Sequence, residues 1–205
     1  KGSIVNGAGG ALLVSPTSVY VSGNYAYVTS NSSDALEIVD ISNPAAPVHK
    51  GKIVSSTLAW LDGPTSVFVS GNYAYVVSNI SNALEIVDIS NPASPTHTGS
   101  LVNTVGGALI AYPYSVYVSG KYAYVISYSD DALEIIDVSN PAKPTHKGSI
   151  VNGAGGALLD APIDVFVSGK YAYVVSSNSN ALEIVDISNP ASPTHAGSIV
   201  NGAGG

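Results

Sequence analysis

Histidine and carboxylate side chains recur at regular intervals along this chain of 205 residues. Each copy carries a Glu and an Asp three residues apart, and a His follows in the same register. A neutral imidazole can hold a metal ion, and two carboxylates can share acid–base work on one substrate. The residues are Glu37, Glu85, Glu134 and Glu183; Asp40, Asp88, Asp137 and Asp186; and His49, His97, His146 and His195.

The spacing of these residues favours a structural role over catalysis. Alternation along a strand would place Glu37 and Asp40 on opposite faces, which does not suit a pair of catalytic carboxylates. Each Asp precedes Ser-Asn-Pro, so we interpret it as an acceptor for turn N–H groups. Each His begins a weak outer strand, and we interpret it as a solvated or capping residue. A single active site needs asymmetry, whereas these residues recur in every copy.

Other chemistry-bearing patterns lack the context that would give them a function. Asp130 and Asp131, with Asp34 at the equivalent turn, offer oxygen ligands for calcium, but the spacing is not that of an EF-hand loop. No helix follows the Gly-rich run at 153–156, so a phosphate cradle is not predicted. Cysteine is absent, which excludes thiolate metal sites and cysteine nucleophiles. The sequence therefore predicts no catalytic residue, no metal, no cofactor and no enzyme activity.

Differences between the copies are better indicators of binding than the shared residues. They concentrate at predicted loop ends, where aromatic and acidic side chains suit contact with a protein or a glycan. Drift on exposed loops is the alternative explanation. The candidate binding residues are Trp60, Tyr112, Tyr114, Tyr128, Asp130 and Asp131.

Charge and hydropathy restrict the classes of partner. The formal net charge is −7, and all seven basic residues are Lys. Nucleic-acid binding and anionic membrane surfaces need clustered basic residues, so neither partner is expected. No run of 18 apolar residues exists, so no membrane insertion is expected. Only 10% of residues are charged while Ser, Asn, Gly and Thr abound, which favours an extracellular or cell-surface setting.

The chain consists of four copies of a sequence repeat of about 49 residues. Val-Ser-Gly ends at Gly23, Gly71, Gly120 and Gly169, with spacings of 48, 49 and 49 residues. Within each unit, four short segments rich in Val, Ile and Tyr predict strands, and Gly-Asn or Gly-Lys between the first two predicts a tight hairpin. The strands are apolar on both faces, so each sheet needs neighbours on both sides.

Four short antiparallel strands, repeated and stacked face to face, are typical of β-propeller blades. A linear solenoid has shorter repeats of roughly 20–30 residues, and a sandwich domain needs roughly 100 residues. We therefore predict an all-β, propeller-type array of four four-stranded antiparallel blades with one extra N-terminal outer strand.

The repeated sequence resembles that of a known family. Tyr-Val-Ser-Gly-Asn-Tyr-Ala-Tyr-Val, followed by Leu-Glu-Ile-Val-Asp-Ile-Ser-Asn-Pro, is similar to the LVIVD repeat of bacterial and archaeal proteins, many of them exported. The resemblance implies a propeller-type fold and a surface or exported setting, and it supplies no catalytic residues. The matching cores run over 36–40, 84–88, 133–137 and 182–186.

The two ends of the chain have the same amino-acid sequence. Residues 1–10 are identical to residues 147–156, and residues 197–205 repeat nine of those ten positions. We predict one repeat domain over 1–205, either whole or a segment of a longer array. Its parts are an outer strand at 1–6 and units at approximately 16–54, 64–103, 113–152 and 162–201.

Three arrangements explain the duplicated end strand. The chain is a window from a longer array, or a closed four-bladed ring with one redundant strand, or a protomer that donates one strand to a neighbour. Strand donation of this kind relies on main-chain hydrogen bonds, and contacts that do not close give fibres. The self-assembly residues in that case are Ser3, Ile4, Val5, Ser198, Ile199 and Val200.

These observations predict a non-enzymatic, extracellular structural or adhesive protein, and strand exchange between its ends, giving filaments, is one of the three arrangements left open. Its partner is then a second copy of itself or a surface protein or glycan. The first alternative is a glycan- or protein-binding propeller module that uses one rim. The second alternative is an enzyme with a rim site, which propellers support in general.

Overall fold

A computed structural model describes residues 2–202 and shows an all-β chain. Within those residues, sixteen strands form four four-stranded antiparallel sheets, and each sheet uses four consecutive strands in chain order. The predicted fold of four blades is therefore confirmed. We name the sheets I to IV along the chain. The strands are β1 (Pro16–Ser22), β2 (Tyr25–Ser30), β3 (Ala35–Asp40), β4 (Val48–Val54), β5 (Pro64–Ser70), β6 (Tyr73–Ser78), β7 (Ala83–Asp88), β8 (Thr96–Val102), β9 (Pro113–Ser119), β10 (Tyr122–Ser127), β11 (Ala132–Asp137), β12 (Thr145–Val151), β13 (Pro162–Ser168), β14 (Tyr171–Ser176), β15 (Ala181–Asp186) and β16 (Thr194–Val200).

Local sequence explains where strands begin and turn. Gly23 has a φ of +56° between β1 and β2, the backbone region that a two-residue hairpin requires and glycine adopts easily. Each sheet starts at a Pro, whose missing N–H is tolerated at the first residue of a strand. Among the described residues, helical structure is limited to three-residue 3₁₀ turns, and no helix is long and apolar enough to cross a lipid bilayer.

The first compact unit, Lys1–Ser100, contains sheet I and most of sheet II. Its core forms where sheet I packs face to face on sheet II. Sheet I contributes a surface that we call the aromatic face, made of Tyr20, Tyr27, Leu36, Ile38 and Ile53. Sheet II contributes a surface that we call the valine face, made of Val67, Val69, Ala74, Val76, Val87 and Ile89.

The second compact unit, Leu101–Gly205, repeats this packing between sheets III and IV. Sheet III supplies the aromatic face and sheet IV the valine face. The ring of Tyr117 also lies 5.0 Å from the ring of Phe166, which side-chain alternation along β13 places on the other face of sheet IV. The equivalent pair in the first unit, Tyr20 and Phe68, lies at 4.8 Å. In each unit, therefore, the first sheet packs its aromatic face on the valine face of the second.

The extra outer strand predicted over residues 1–6 needs a correction. Lys1 lies outside the described residues, and the structure assigns no strand to residues 2–5. A strand needs a ladder partner, and the backbone bonds of this segment do not form a ladder: the Gly2 N–H donates to the Pro44 carbonyl at 3.2 Å, and the Val5 carbonyl accepts the Ala8 N–H at 3.1 Å. The segment lies beside the turn between β3 and β4 without joining a sheet.

Candidate functional site

In every sheet the repeated Glu and His form a hydrogen-bonded pair. His97, His146 and His195 place Nδ1 at 2.5 Å from the Oε1 of Glu85, Glu134 and Glu183, and His49 pairs with Glu37 in the same way. The interpretation of these histidines as solvated or capping residues is therefore wrong. The one signal in the sequence that could have shown the pairing is the constant separation of twelve residues between Glu and His.

A β-bulge brings the two residues of each pair together. In sheet I, Ile38 pairs with Gly51 but Val39 pairs with His49, so Lys50 is the extra residue of β4. His49 therefore shares a face with Val39, and Glu37 lies on that same face because side chains alternate along β3. A sequence pattern does not contain this register shift, which explains why the pair was missed.

Each Glu is also bound to the connection that enters its own sheet. Glu85 is 0% exposed, and its Oε2 accepts the backbone N–H of Trp60 at 3.2 Å. The same bond links Leu12, Leu109 and Leu158 to the other three glutamates. Each carboxylate thus joins three parts of a repeat, which agrees with a structural role.

Burial perturbs the acidity of the two central glutamates. Desolvation raises the pKa of Glu85 to about 7, against the lowering effect of the hydrogen bonds from His97 and from the Trp60 N–H. Desolvation also raises the pKa of Glu134 to about 7, opposed by His146 and the Leu109 N–H. A carboxyl that changes its charge near neutral pH makes sheet packing pH-dependent.

The repeated Asp residues act as predicted. Asp137 Oδ1 accepts the backbone N–H of Ser139 at 3.0 Å, and the other three Asp residues accept the equivalent N–H. The hydrogen bonds from Ser139, first from its hydroxyl and then from its backbone, lower the pKa of Asp137. The interpretation of these carboxylates as turn acceptors is confirmed.

Three of the predicted rim residues come together as a tyrosine cluster on sheet III. The ring centroids of Tyr114 and Tyr128 lie 5.0 Å apart, those of Tyr112 and Tyr114 5.8 Å, and those of Tyr112 and Tyr128 6.2 Å. Tyr112 and Tyr114 remain 41% and 38% exposed. Their counterparts in sheet I are Ser15, Thr17 and Asn31, so the cluster distinguishes one repeat from another.

Tyr112 occupies an unfavourable backbone region. Its φ is +52°, and the counterparts in the other repeats are Ser15, Gly63 and Ala161, which are all smaller. A bulky side chain is uncommon in the left-handed region, and residues held there cluster at functional sites. The counterparts share this left-handed turn, with φ of +52° at Ser15 and +51° at Ala161, and only the third repeat carries an aromatic ring there, beside Tyr114 and Tyr128.

The remaining rim candidates do not join this cluster as ligands. Asp130 Oδ2 accepts the Ala111 N–H and the Ser127 hydroxyl, and Asp131 Oδ1 accepts the Ala161 N–H. Both carboxylates therefore hold loops of the second unit. Trp60 belongs to the first unit, where it is 42% exposed. Across residues 2–202, no three His, Asp or Glu side chains meet as a metal site.

The β1 part of the valine face of sheet I lies open to solvent. Val19 and Val21 are 61% and 57% exposed, whereas their counterparts Val67 and Val69 on sheet II are 4% and 6% exposed under sheet I. Side chains of the same type at the same register are therefore buried in one sheet and exposed in another. Farther from β1 the face is covered, since Val39 is 3% exposed.

The aromatic face of sheet IV is open in the complementary way. Phe166, Val175 and Ile199 are 59%, 39% and 59% exposed. The sheet III counterparts of the last two, Ile126 and Ile150, are 0% and 4% exposed because sheet IV covers them. The aromatic face of sheet IV is therefore uncovered at these positions.

The predicted self-assembly residues lie at these same two sheets. Ser3, Ile4 and Val5 lie beside sheet I, where Val5 is 65% exposed. Ser198, Ile199 and Val200 form the end of β16, the outer strand of sheet IV. The structure places each set next to an open face.

A family model described as the LVIVD repeat matches the chain four times, over residues 15–54, 64–104, 112–151 and 162–200. These ranges follow the four sheets, so each repeat folds as one sheet. Comparison with curated proteins finds no match.

Solved structures share the fold at low sequence identity. A protein from Lactobacillus plantarum is 16% identical with a TM-score of 0.73, covering 90% of this chain and 55% of that one. The periplasmic gluconolactonase of Pseudomonas aeruginosa is 14% identical with a TM-score of 0.72, covering 90% and 53%. A β-propeller domain from Myceliophteria thermophila is 13% identical with a TM-score of 0.64, covering 88% and 57%. This chain therefore spans about half the length of these structures, and the likeness shows a propeller-type fold.

Proposed function

The chain belongs to the LVIVD repeat family, and from that premise we propose that it is a non-enzymatic structural protein that assembles by stacking blades of separate copies. The open valine face of sheet I receives the open aromatic face of sheet IV from a second copy. The observation that carries this proposal is the exposure of Val19 and Val21, whose counterparts are buried wherever a neighbouring sheet covers them.

The occupant follows from contacts that the chain already makes. Sheet I covers the valine face of sheet II, and sheet III covers that of sheet IV. Both pairings use the same residue types in the same register. The aromatic face of sheet IV in one copy can therefore cover the exposed valine face of sheet I in another. A contact of this kind is head-to-tail, and it gives rings or filaments according to the rotation between copies.

The expected strength of one contact is modest. Val19, Val21, Phe166 and Ile199 are 57–61% exposed. Full burial of such a side chain contributes about 1.5–3 kcal/mol, so covering these four contributes about 5 kcal/mol. Association costs about 4–15 kcal/mol in lost translational and rotational freedom. Other side chains of the two faces must add to the contact, and we expect assembly that depends strongly on concentration.

Matched charge substitutions test the stacking. Val19→Asp and Phe166→Asp each spoil one face, while Val105→Asp introduces the same charge at a turn residue that is 56% exposed and belongs to neither face. Mass is measured by light scattering over a concentration series. We expect growth of mass for the parent and Val105→Asp, and monomers for each face variant.

Mixing the two face variants gives the decisive arm. Val19→Asp keeps the face of sheet IV and Phe166→Asp keeps the face of sheet I, so together they form one good contact and stop at a dimer. A monomeric parent at every concentration, or a face variant that still assembles, would overturn the proposal.

The proposed setting is the outside of a cell. The support is the low charged fraction, 10%, of a Ser- and Asn-rich chain. Surface labelling of cells that express the parent gene, with an impermeant amine reagent directed at its seven lysines, tests this setting. Labelling only after cell lysis would contradict it.

The non-enzymatic part of the proposal has a direct test. The Pseudomonas aeruginosa protein is named a gluconolactonase, and at 14% identity that name transfers no activity to this chain. We expect no acceleration of gluconolactone hydrolysis when the purified chain is added to the lactone and acid release is followed. Turnover above the spontaneous rate, lost on heat denaturation, would overturn this part.

The tyrosine cluster favours carbohydrate binding as a second candidate function. Aromatic rings stack on the apolar face of a sugar ring while their hydroxyls form hydrogen bonds with the sugar. Tyr112, Tyr114 and Tyr128 offer three such rings within 6.2 Å, and two of them are well exposed.

A glycan array with matched variants tests this candidate. Tyr114→Ala and Tyr128→Ala should each lower the signal at least tenfold. Trp60→Ala removes a ring of similar exposure outside the cluster and should leave the signal unchanged. No saturable glycan binding by the parent, or equal loss in all three variants, would contradict it.

A further inference from the structure

The side chains available for oxidation in this chain are of an unusual kind. It has no cysteine and no methionine, whose sulfur atoms are common targets of oxidants. It has 13 Tyr and a single Trp instead. A one-electron oxidant that attacks this chain therefore acts mainly on phenol rings, and three of these rings meet in the tyrosine cluster of sheet III.

Tyr114 and Tyr128 have the geometry that oxidative coupling of two phenols needs. Their ring centroids lie 5.0 Å apart, within the range of rings in contact, and their planes meet at 38°. The two pairs that involve Tyr112 are wider and more steeply inclined, at 49° and 57°. Tyr114 is 38% exposed and Tyr128 is partly exposed, so a small oxidant reaches rings that already touch each other.

Two neighbouring aromatic pairs of the same unit lack one of these properties. The ring of Tyr117 also lies 5.0 Å from that of Phe166, but Phe has no hydroxyl and forms no phenoxyl radical. Tyr124 lies opposite Tyr117 in the register of β9 and β10, but it is only 4% exposed. Tyr114 and Tyr128 combine two phenols, ring contact and access.

We propose that Tyr114 and Tyr128 are a site of oxidative cross-linking, at which a peroxidase acting with hydrogen peroxide joins the two rings by a carbon–carbon bond. Each phenol gives up one electron and one proton and becomes a phenoxyl radical. The two electrons and two protons reduce one hydrogen peroxide molecule to two water molecules. The radicals combine at the ring carbons beside the hydroxyl groups, and the hydrogen atoms on those carbons move to the phenolic oxygens. The product has two hydrogen atoms fewer than the parent chain.

The fold favours coupling within one chain over coupling between chains. A radical on Tyr114 has the ring of Tyr128 beside it, and both rings belong to one hairpin and the turn that follows it. Groups held together in this way react at an effective concentration that a second copy in dilute solution does not reach. We therefore expect the bond to form inside a single copy.

The cross-link acts as a covalent staple on sheet III. Tyr114 is the second residue of β9 and Tyr128 directly follows β10, so the bond closes a loop around the β9–β10 hairpin. A closed loop restricts the unfolded chain, as a disulfide does, and thereby stabilises the folded one. Because this chain has no cysteine, a bond between phenols gives it a staple that a disulfide cannot.

Peroxidase treatment of the full chain tests the site. The dilute protein is incubated with a peroxidase and hydrogen peroxide, dityrosine fluorescence is recorded, and the digested product is analysed by mass spectrometry. We expect one linked pair of peptides, joined at positions 114 and 128 and lighter by two hydrogen atoms. Oxidation of Trp60 adds oxygen, so its products have a different mass.

Phenylalanine variants provide matched controls, because Phe keeps the ring and its packing and lacks only the hydroxyl. Tyr114→Phe and Tyr128→Phe should each abolish the link. Tyr117→Phe removes the phenol opposite Tyr124 and should leave the link unchanged. Oxidation should raise the thermal midpoint of the parent and of Tyr117→Phe, and it should leave that of Tyr114→Phe unchanged.

Three results would overturn the proposal. They are a parent that forms no link between positions 114 and 128, a link that forms mainly between chains, and a fluorescence signal that persists in Tyr128→Phe but disappears in Tyr117→Phe. A linked parent with an unchanged thermal midpoint would overturn the staple. The exposed faces of sheets I and IV take no part in this chemistry, so blade stacking stands or falls separately.

Discussion

Replacing Glu85 with Gln should remove a large part of the pH dependence of stability in the first unit. Glu85 is fully buried, forms a hydrogen bond with His97 and accepts the Trp60 N–H. Gln keeps the shape and can still accept one of these bonds, but it does not ionise. The substitution therefore isolates the effect of the charge.

The sign and size follow from the raised pKa. Burial raises the pKa of Glu85 from 4.5 to about 7, so between these values the folded protein binds more protons than the unfolded chain. The stabilisation is complete below pH 4.5 and is lost as pH rises through 7. At about 1.4 kcal/mol per pH unit, Glu85 accounts for a fall of at most about 3 kcal/mol.

Trp60 provides the assay, because it is the single Trp of the chain and its backbone contacts Glu85. Urea unfolding followed by Trp fluorescence gives the free energy of unfolding at pH 5, 6, 7 and 8. We expect a fall with pH in the parent and a clearly flatter profile in Glu85→Gln. Asp88→Asn is the control, since turn hydrogen bonds lower the pKa of Asp88 and its effect lies in acid.

The result that would refute this reasoning is an equal fall in parent and Glu85→Gln between pH 5 and 8. A rise of stability with pH in the parent that disappears in the Gln variant would refute it as well. Either outcome would mean that Glu85 remains ionised in the folded protein and is stabilised there by its partners.

Three further predictions use thermal or urea denaturation. Thr104 is an exposed, β-branched residue at φ +68°, where another repeat has Gly153. Thr104→Gly should therefore raise the free energy of unfolding by about 1 kcal/mol, and Gly153→Thr should lower it by a similar amount. Equal denaturation midpoints would contradict this. Gly51→Ala should destabilise by about 1–3 kcal/mol because it overlaps the turn of sheet II, and an unchanged midpoint would show that the turn moves freely. Turn hydrogen bonds lower the pKa of Asp137, so its carboxylate stabilises the parent above pH 4 and this stabilisation is lost as pH falls. Asp137→Asn should be less stable than the parent above pH 4, and the difference should shrink in acid. The same loss of stability in acid for both proteins would contradict this.

The architecture could be predicted because every repeat contains short-range sequence signals for its strands and turns. Strand composition, the glycine of the first hairpin and the Asn-Pro break act over a few residues, and four copies remove the ambiguity of any one. The turn role of Asp40 was predictable for the same reason, since its acceptor bond spans two residues. The His–Glu pair was not, because it depends on a bulge at Lys50 that leaves no trace in composition.

The candidate surfaces were only partly predictable. Unusual residues in one repeat identified Tyr112, Tyr114 and Tyr128, but their meeting required the pairing of β9 with β10 and the left-handed turn at Tyr112. The exposed faces of sheets I and IV could not be identified from the amino-acid sequence. Val19 and Val67 lie in nearly identical sequences, Thr-Ser-Val-Tyr-Val and Thr-Ser-Val-Phe-Val, yet one is exposed and the other is buried.

Near-identity of the repeats has a physical cost. Faces that recognise each other within one chain by burying Val, Ile and aromatic side chains recognise equally the same faces on another chain. Sheet I therefore cannot exclude a foreign sheet IV by chemistry, because any substitution that repels it departs from the packing that the repeat preserves elsewhere.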